Sequence, residues 1–378
     1  MNGAKNSTPY LTLISQALLG SDENICSNRA GQRNRPSDDT ERLRETISAF
    51  SITDFSELWT LATSHHVILR AFPVLRHALR AEDSDGIGWI EQAIVKEDAR
   101  VRHAVSFLSE ICRGLESAGD VIVIKSLDHW PDLGSDLDLY TNAQGADVVA
   151  LMRDHFKAHL AERSWGDRLA NKWNFVVPGL PELVEVHVGR LGQTGEQIAI
   201  TESLVARADM AKFGEHTFKV AAPEDRIMIS TLQRMYRHFY LRLCDIVDNA
   251  KLVDSGVVDY VYLKSLAKRA GLWDGLATYL SVVSGYVEAY RGHGLPLPSL
   301  VTDAAQFGNE LVYFKKNFLR IPIFPQAARL YASEWSRLLL NGEIRNTLRL
   351  SLLPGLATAA AVEFTICEEI KEFVMSWV

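Results

Sequence analysis

Cysteine is scarce in this chain: four among 378 residues, at positions 26, 112, 244 and 367, with no Cys-x-x-Cys step. Such spacing leads us to expect neither a disulfide framework nor a structural zinc motif, and unpaired thiols fit a reducing, cytoplasmic setting. Long apolar runs are missing as well. The uncharged stretch Ser351–Val362 is shorter than the roughly 18 residues a spanning helix needs, and it contains Pro354 and Gly355. Near the start, Tyr10–Leu19 resembles the apolar part of a secretion signal. Thr12, Ser15 and Gln16 interrupt it and no small-x-small cleavage step follows, so the expectation is a short amphipathic helix. A basic surplus is also absent. The formal net charge is −7, which argues against a protein bound mainly to a long nucleic-acid backbone.

What is present is an ordinary globular composition, 47% hydrophobic and 23% charged, with apolar mass for a core and a length that suggests two or three structural regions. Residues 21–41 are almost entirely polar, so residues 1–41 read as a mobile N-terminal segment. Residues 42–118 read as helical: Leu58, Leu61, Ala62 and His65 recur at helical spacing, and Ile94, Val101, Val105, Leu108 and Ile111 share a face of a helix over 90–115.

The texture changes at residue 119. Val121–Lys125 is a short β-branched run, and Ser135–Tyr140 alternates polar and apolar, each the pattern of a strand. A helix over 146–161 follows, then strands over 172–177 and 183–188 joined by a Pro178-Gly-Leu-Pro turn. Residues 119–220 are thus expected to form a small α/β sheet. From Pro223-Glu-Asp, a helix start with proline early and acids in the first turn, residues 221–378 read as all-helical.

The chemistry concentrates in two strands. Residues i and i+2 of a strand point to one face, so Asp136 and Asp138 project together while Leu137 and Leu139 enter the opposite layer. Two adjacent carboxylates repel unless a cation lies between them, and magnesium takes such hard oxygen ligands. Glu185, mid-strand in Leu183-Val-Glu-Val-His187, is a third acid in an expensive place unless paired or metal-bound, and it shares its face with His187. Because clustered like charges repel, neutralising Asp138 should cost little stability.

A strand ending in a polar turn, nine residues, Asp-x-Asp on the next strand and a distal acid resembles the pattern of the DNA polymerase β-like nucleotidyltransferase superfamily. Within it, Ile124-Lys125-Ser126, Asp136-Leu137-Asp138 and Glu185-Val186-His187 look like the bacterial uncharacterised nucleotidyltransferase family. Trp59…His65-His66 and Pro223-Glu-Asp…Arg242-x-x-Asp245 extend the likeness over about residues 50–275. Ser126 stands where the family's pattern has Gly.

The resemblance implies an α+β fold: a small mixed nucleotidyltransferase-type sheet with helices, flanked by N-terminal helices and a larger all-helical C-terminal region. It further implies Mg²⁺ or Mn²⁺ held by Asp136, Asp138 and Glu185, with Lys125, Ser126, Ser135 and Arg242 on the nucleotide. The expected reaction moves a nucleoside monophosphate from a nucleoside triphosphate, ATP first among them, to a hydroxyl of a small molecule or peptide, with release of pyrophosphate. Alternatives are kinase-like phosphoryl transfer from the same site and a degenerate domain serving as a binding scaffold. No membrane partner is expected. Arg234, Arg237 and Arg242, at i, i+3 and i+8 of one expected helix, are candidates for a phosphate clamp.

Overall fold

The computed structural model describes residues 9–20 and 38–355. The chain is mixed α+β. Seven strands form one sheet: β1 (Val121–Val123), β2 (Asp136–Thr141), β3 (His159–Leu160), β4 (Lys172–Val176), β5 (Leu183–Val188), β6 (Asp209–Phe213) and β7 (His216–Val220), in the order β3-β4-β5-β2-β1-β7-β6. The β2–β5 and β1–β7 pairs are parallel and the others antiparallel. The four expected strands are present. Strands β3, β6 and β7 carry no clear sequence signal because they are short or polar in pattern. The helix expected over 146–161 spans Gly145–Asp154, and the chain then turns into edge strand β3.

The two faces of this sheet are covered by different things, as strand alternation requires. Val121, Val123, Leu137, Leu139, Val184, Val186 and Val188 pack with Val101, Val105, Leu108, Ile111 and Leu115. The latter five belong to one long helix, Ser84–Leu115. The opposite face contributes Ile122, Ile124 and Tyr140 to a larger core built from the N-terminal and C-terminal helices. The long helix joins both cores, since its first half supplies Ile90 and Ala93 to the larger one.

Three expectations for the flanking regions need correction. Within the segment expected to be mobile, Pro9–Leu19 forms a helix that buries Leu11, Ile14 and Leu19, and Ser15 Oγ lies 2.7 Å from Tyr286 Oη in the C-terminal region; the polar stretch 21–37 lies outside the described residues. Residues 42–118 are four helices where two were expected, because the chain breaks at 49–51, 65–67 and 79–83. The C-terminal region is not all-helical: β8 (Tyr240–Leu241), β9 (Tyr313–Lys315) and β10 (Phe318–Arg320) form a small antiparallel sheet. This sheet also ends the expected arginine helix. Pro223–Thr231 is α-helical and Leu232–His238 a wider π-type turn; Phe239 then adopts a left-handed conformation with φ 55°, and β8 follows. Arg242 is therefore not on the face carried by Arg237.

Among the described residues no helix is long and apolar enough to cross a membrane. The π-type turn is held by close packing against Gly275 of the helix Trp273–Arg291, where an added Cβ would stand 2.2 Å from Tyr236 Oη. Both sides are buried, so overpacking has no outlet. Gly275→Ala is expected to cost about 1–3 kcal/mol in denaturant unfolding; wild-type stability would show that this contact is not what holds the turn.

Candidate functional site

The parallel pairing of β2 with β5 builds the site. Asp138 is registered against Glu185, and Tyr140 against His187. Both strands turn these alternate residues toward the C-terminal region, while Leu137, Leu139, Val184 and Val186 enter the core behind. Asp138, Glu185 and His187 each offer a ligand atom within 4.8 Å of the others. Asp136 lies outside that tight group but one alternation step along β2, close enough for its carboxyl to feel both acids.

Each acid has a different electrostatic setting. Lys125 Nζ donates a short bond to Asp138 Oδ1. Burial pushes the Asp138 carboxyl up, but the Lys125 ammonium and His187 outweigh it, so Asp138 is held below the usual carboxylate range. Glu185 Oε1 accepts from Lys172 Nζ at 3.1 Å, and Lys172 also reaches Asp167 at 3.0 Å. Asp136 has no lysine of its own; Ser135 Oγ lies 3.3 Å from its Oδ2. Burial, then repulsion from Asp138 and Glu185, raises its pKa. His187 Nε2 sits 3.5 Å from Asp138 Oδ1 and 3.8 Å from Glu185 Oε2. Neither ring nitrogen makes a hydrogen bond, although both are buried, and burial lowers the imidazole pKa.

The turn after β1 aims Lys125. Its backbone is left-handed, φ 60° and ψ −58°, and Ser126 N–H donates to Ile124 O at 2.6 Å. This is a tight γ-turn centred on a lysine, an expensive conformation for a residue with a Cβ. The positive φ thus falls on position 125 and not on Ser126. Ser126 instead ties the turn to β2: its hydroxyl donates to Asp136 O at 3.1 Å and accepts from Asp138 N–H at 2.7 Å. It is buried and clamps that strand, its hydroxyl engaged with the main chain.

A narrow cleft opens beside Lys125 and His187 and is walled by Leu191, Ile229, Leu232 and Leu350. Of the three candidate arginines only Arg237 lines it. Arg234 is buried with Nε 2.7 Å from Asp245 Oδ2. Arg242 caps the helix Leu243–Asp254, its backbone N–H bonded to Asp245, and its Nη1 lies 2.7 Å from His66 Nε2. Sequence reasoning missed Gln233, Glu196 and Glu334 in this cleft. Glu196 accepts from the Thr194 backbone at 2.8 Å, and Gln197 Nε2 donates to Glu334 at 2.6 Å. Burial raises the pKa of both acids, and Glu196 raises Glu334 further. No local spacing links residues near 196 with residue 334, so the sequence carries no signal that joins them.

The donor set suits a hard divalent cation: an acid with no ion-pair partner among the described residues, two acids within reach, and a buried imidazole beside them. It also changes the mutational expectation. Asp138 is the partner of a largely buried lysine, so Asp138→Asn is expected to destabilise the fold by about 1–3 kcal/mol. Its folded pKa is depressed, so this stabilisation is present above about pH 4 and is lost as pH falls through the folded value. Asp136→Asn should have the opposite sign, a gain of up to about 1 kcal/mol at neutral pH, because the group is partly solvated and self-repelled. That gain should vanish below about pH 4, where the wild-type acid is protonated in both states. Urea unfolding of both variants in chelator checks the pair; equal effects would contradict the assignment of partners. No family model matches the chain, and no curated protein matches it significantly.

Proposed function

We propose that the protein is a metal-dependent nucleotidyltransferase. The observation that carries this reading is the β2–β5 register, which sets Asp138 against Glu185 with Asp136 one step along the same face, beside Lys125, which with His187 and Arg237 lines a neighbouring cleft. Asp136, Asp138 and Glu185 would hold Mg²⁺ or Mn²⁺; the metal, when bound, would neutralise phosphate charge and favour ionisation of an acceptor hydroxyl. The remaining work belongs to the chain. Lys125 can leave Asp138 for a phosphate oxygen, since both are anionic partners at the same turn. Arg237 meets the triphosphate as a planar cation with no carboxylate of its own among the described residues. His187, its pKa lowered by burial, sits 3.5 Å from Asp138 and 3.8 Å from Glu185 and would be neutral, able to accept a proton. Leu191, Ile229, Leu232 and Leu350 exclude water and provide an apolar wall for a nucleoside or a small acceptor.

The proposed acceptor is a small molecule or a side-chain hydroxyl of a peptide, because the chain's acidity argues against long nucleic acid. Because Lys125 and Lys172 already pair two acids, a scaffold that binds nucleotide without transfer is the second reading. Incubation with Mg²⁺, each labelled triphosphate and a metabolite extract separates the readings. A mass gain of one nucleoside monophosphate on an acceptor, absent with Asp138→Asn, is the expected result. A gain of one phosphoryl group would indicate kinase-like transfer, and no gain with retained nucleotide binding would indicate the scaffold. Arg237→Ala should weaken nucleotide binding by about 1–3 kcal/mol, whereas Arg242→Ala should leave it nearly unchanged; the reverse order would put the clamp at Arg242.

A further inference from the structure

A second group of metal-competent side chains lies in the interior, apart from the cleft. His129 ends the 3₁₀ turn Ser126–His129 that follows β1, and Cys244 and Asp245 open the helix Leu243–Asp254. Their ligand atoms all lie within 4.8 Å of one another, and all three residues are buried.

The geometry is that of a thiolate–imidazole–carboxylate site. His129 Nε2 is 3.8 Å from Cys244 Sγ. A tetrahedral zinc with bonds of about 2.0 Å to nitrogen and 2.3 Å to sulfur sets those two atoms about 3.5 Å apart. The other ring nitrogen, Nδ1, is bonded to Asp248 Oδ2, the carboxylate–histidine arrangement that orients a metal-binding imidazole. Asp245 is oriented in turn: its Oδ2 faces Arg234 Nε at 2.7 Å and accepts from the Arg242 backbone at 2.8 Å.

Arg70 pairs with Asp132 at 2.9 Å and shares Asp248 with His129, so these outer groups are already bonded within the chain and hold the imidazole in place. A soft thiolate with an imidazole selects zinc over magnesium, unlike the oxygen-rich site on β2 and β5.

We propose that His129, Cys244 and Asp245 bind one zinc ion, with water in the fourth position. It would tie the turn carrying Lys125 and Ser126 to the first long helix of the C-terminal region. On binding, the Cys244 S–H and His129 Nε2–H bonds break, S–Zn and N–Zn bonds form and both protons pass to solvent. A zinc motif escapes sequence inspection because 115 residues separate His129 from Cys244.

Cobalt titration of the full chain, stripped with chelator, tests this. Wild type should bind one Co²⁺ with a thiolate-to-cobalt charge-transfer band that Zn²⁺ abolishes. The band should be lost in Cys244→Ser and kept in Asp138→Asn. A variant carrying Cys26→Ser, Cys112→Ser and Cys367→Ser together, with Cys244 as its one thiol, should keep it and decides the matter should Cys244→Ser not fold. Absence of the band in wild type or in that triple variant, or its survival in a folded Cys244→Ser, would overturn the proposal. Loss of the band in a folded Asp138→Asn would likewise overturn it.

Discussion

Two acids face each other across a parallel strand pair, and the rest of the site depends on how that repulsion is answered. The register of β2 against β5 leaves Asp138 and Glu185 no freedom to move apart, because Leu137, Leu139, Val184 and Val186 are locked in the core behind them. The chain supplies a lysine to each, Lys125 from the γ-turn after β1 and Lys172 from β4. Asp136 has no ion-pair partner among the described residues and feels Lys125 only at a distance. A site that is electrostatically settled except at one carboxylate can take a divalent cation without rebuilding the sheet.

The basic residues of the C-terminal region divide between architecture and the cleft. Arg234 and Arg242 fix the start of the helix Leu243–Asp254 through Asp245, and Arg70 does the same deeper inside through Asp248 and Asp132. Buried arginines of this kind are costly unless fully paired, so they are committed to holding the helix in place. Arg237, one turn beyond Arg234, is left for the cleft. The same helix start supplies Cys244 and Asp245, so one junction both positions the wall of the cleft and carries the interior cluster around His129.

Much of this is legible in the sequence, for physical reasons. β-branched runs and strict alternation mark β1, β2, β4 and β5, and alternation alone puts Asp136 and Asp138 on one face and the leucines on the other. The parallel register of Asp138 with Glu185 is not legible, because parallel pairing depends on the long connection between strands. Helical spacing misleads at Arg242: the left-handed Phe239 and strand β8 break the periodicity that Arg234, Arg237 and Arg242 suggest. Burial decides Asp138 and Ser126 against their sequence expectation. The first, expected to welcome neutralisation, is a lysine's partner; the second, expected on the nucleotide, is a main-chain clamp.

The central claim is that the face shared by Asp136, Asp138 and Glu185 binds a nucleotide through a metal. Calorimetric titration with a non-hydrolysable triphosphate, in Mg²⁺ and again in chelator, tests it most directly. The account predicts affinity at least roughly tenfold higher with Mg²⁺, about 1.4 kcal/mol, and loss of that difference in the Asp136→Asn variant, whose fold should remain intact. Equal binding with and without Mg²⁺, or a metal effect that survives in Asp136→Asn, would contradict it.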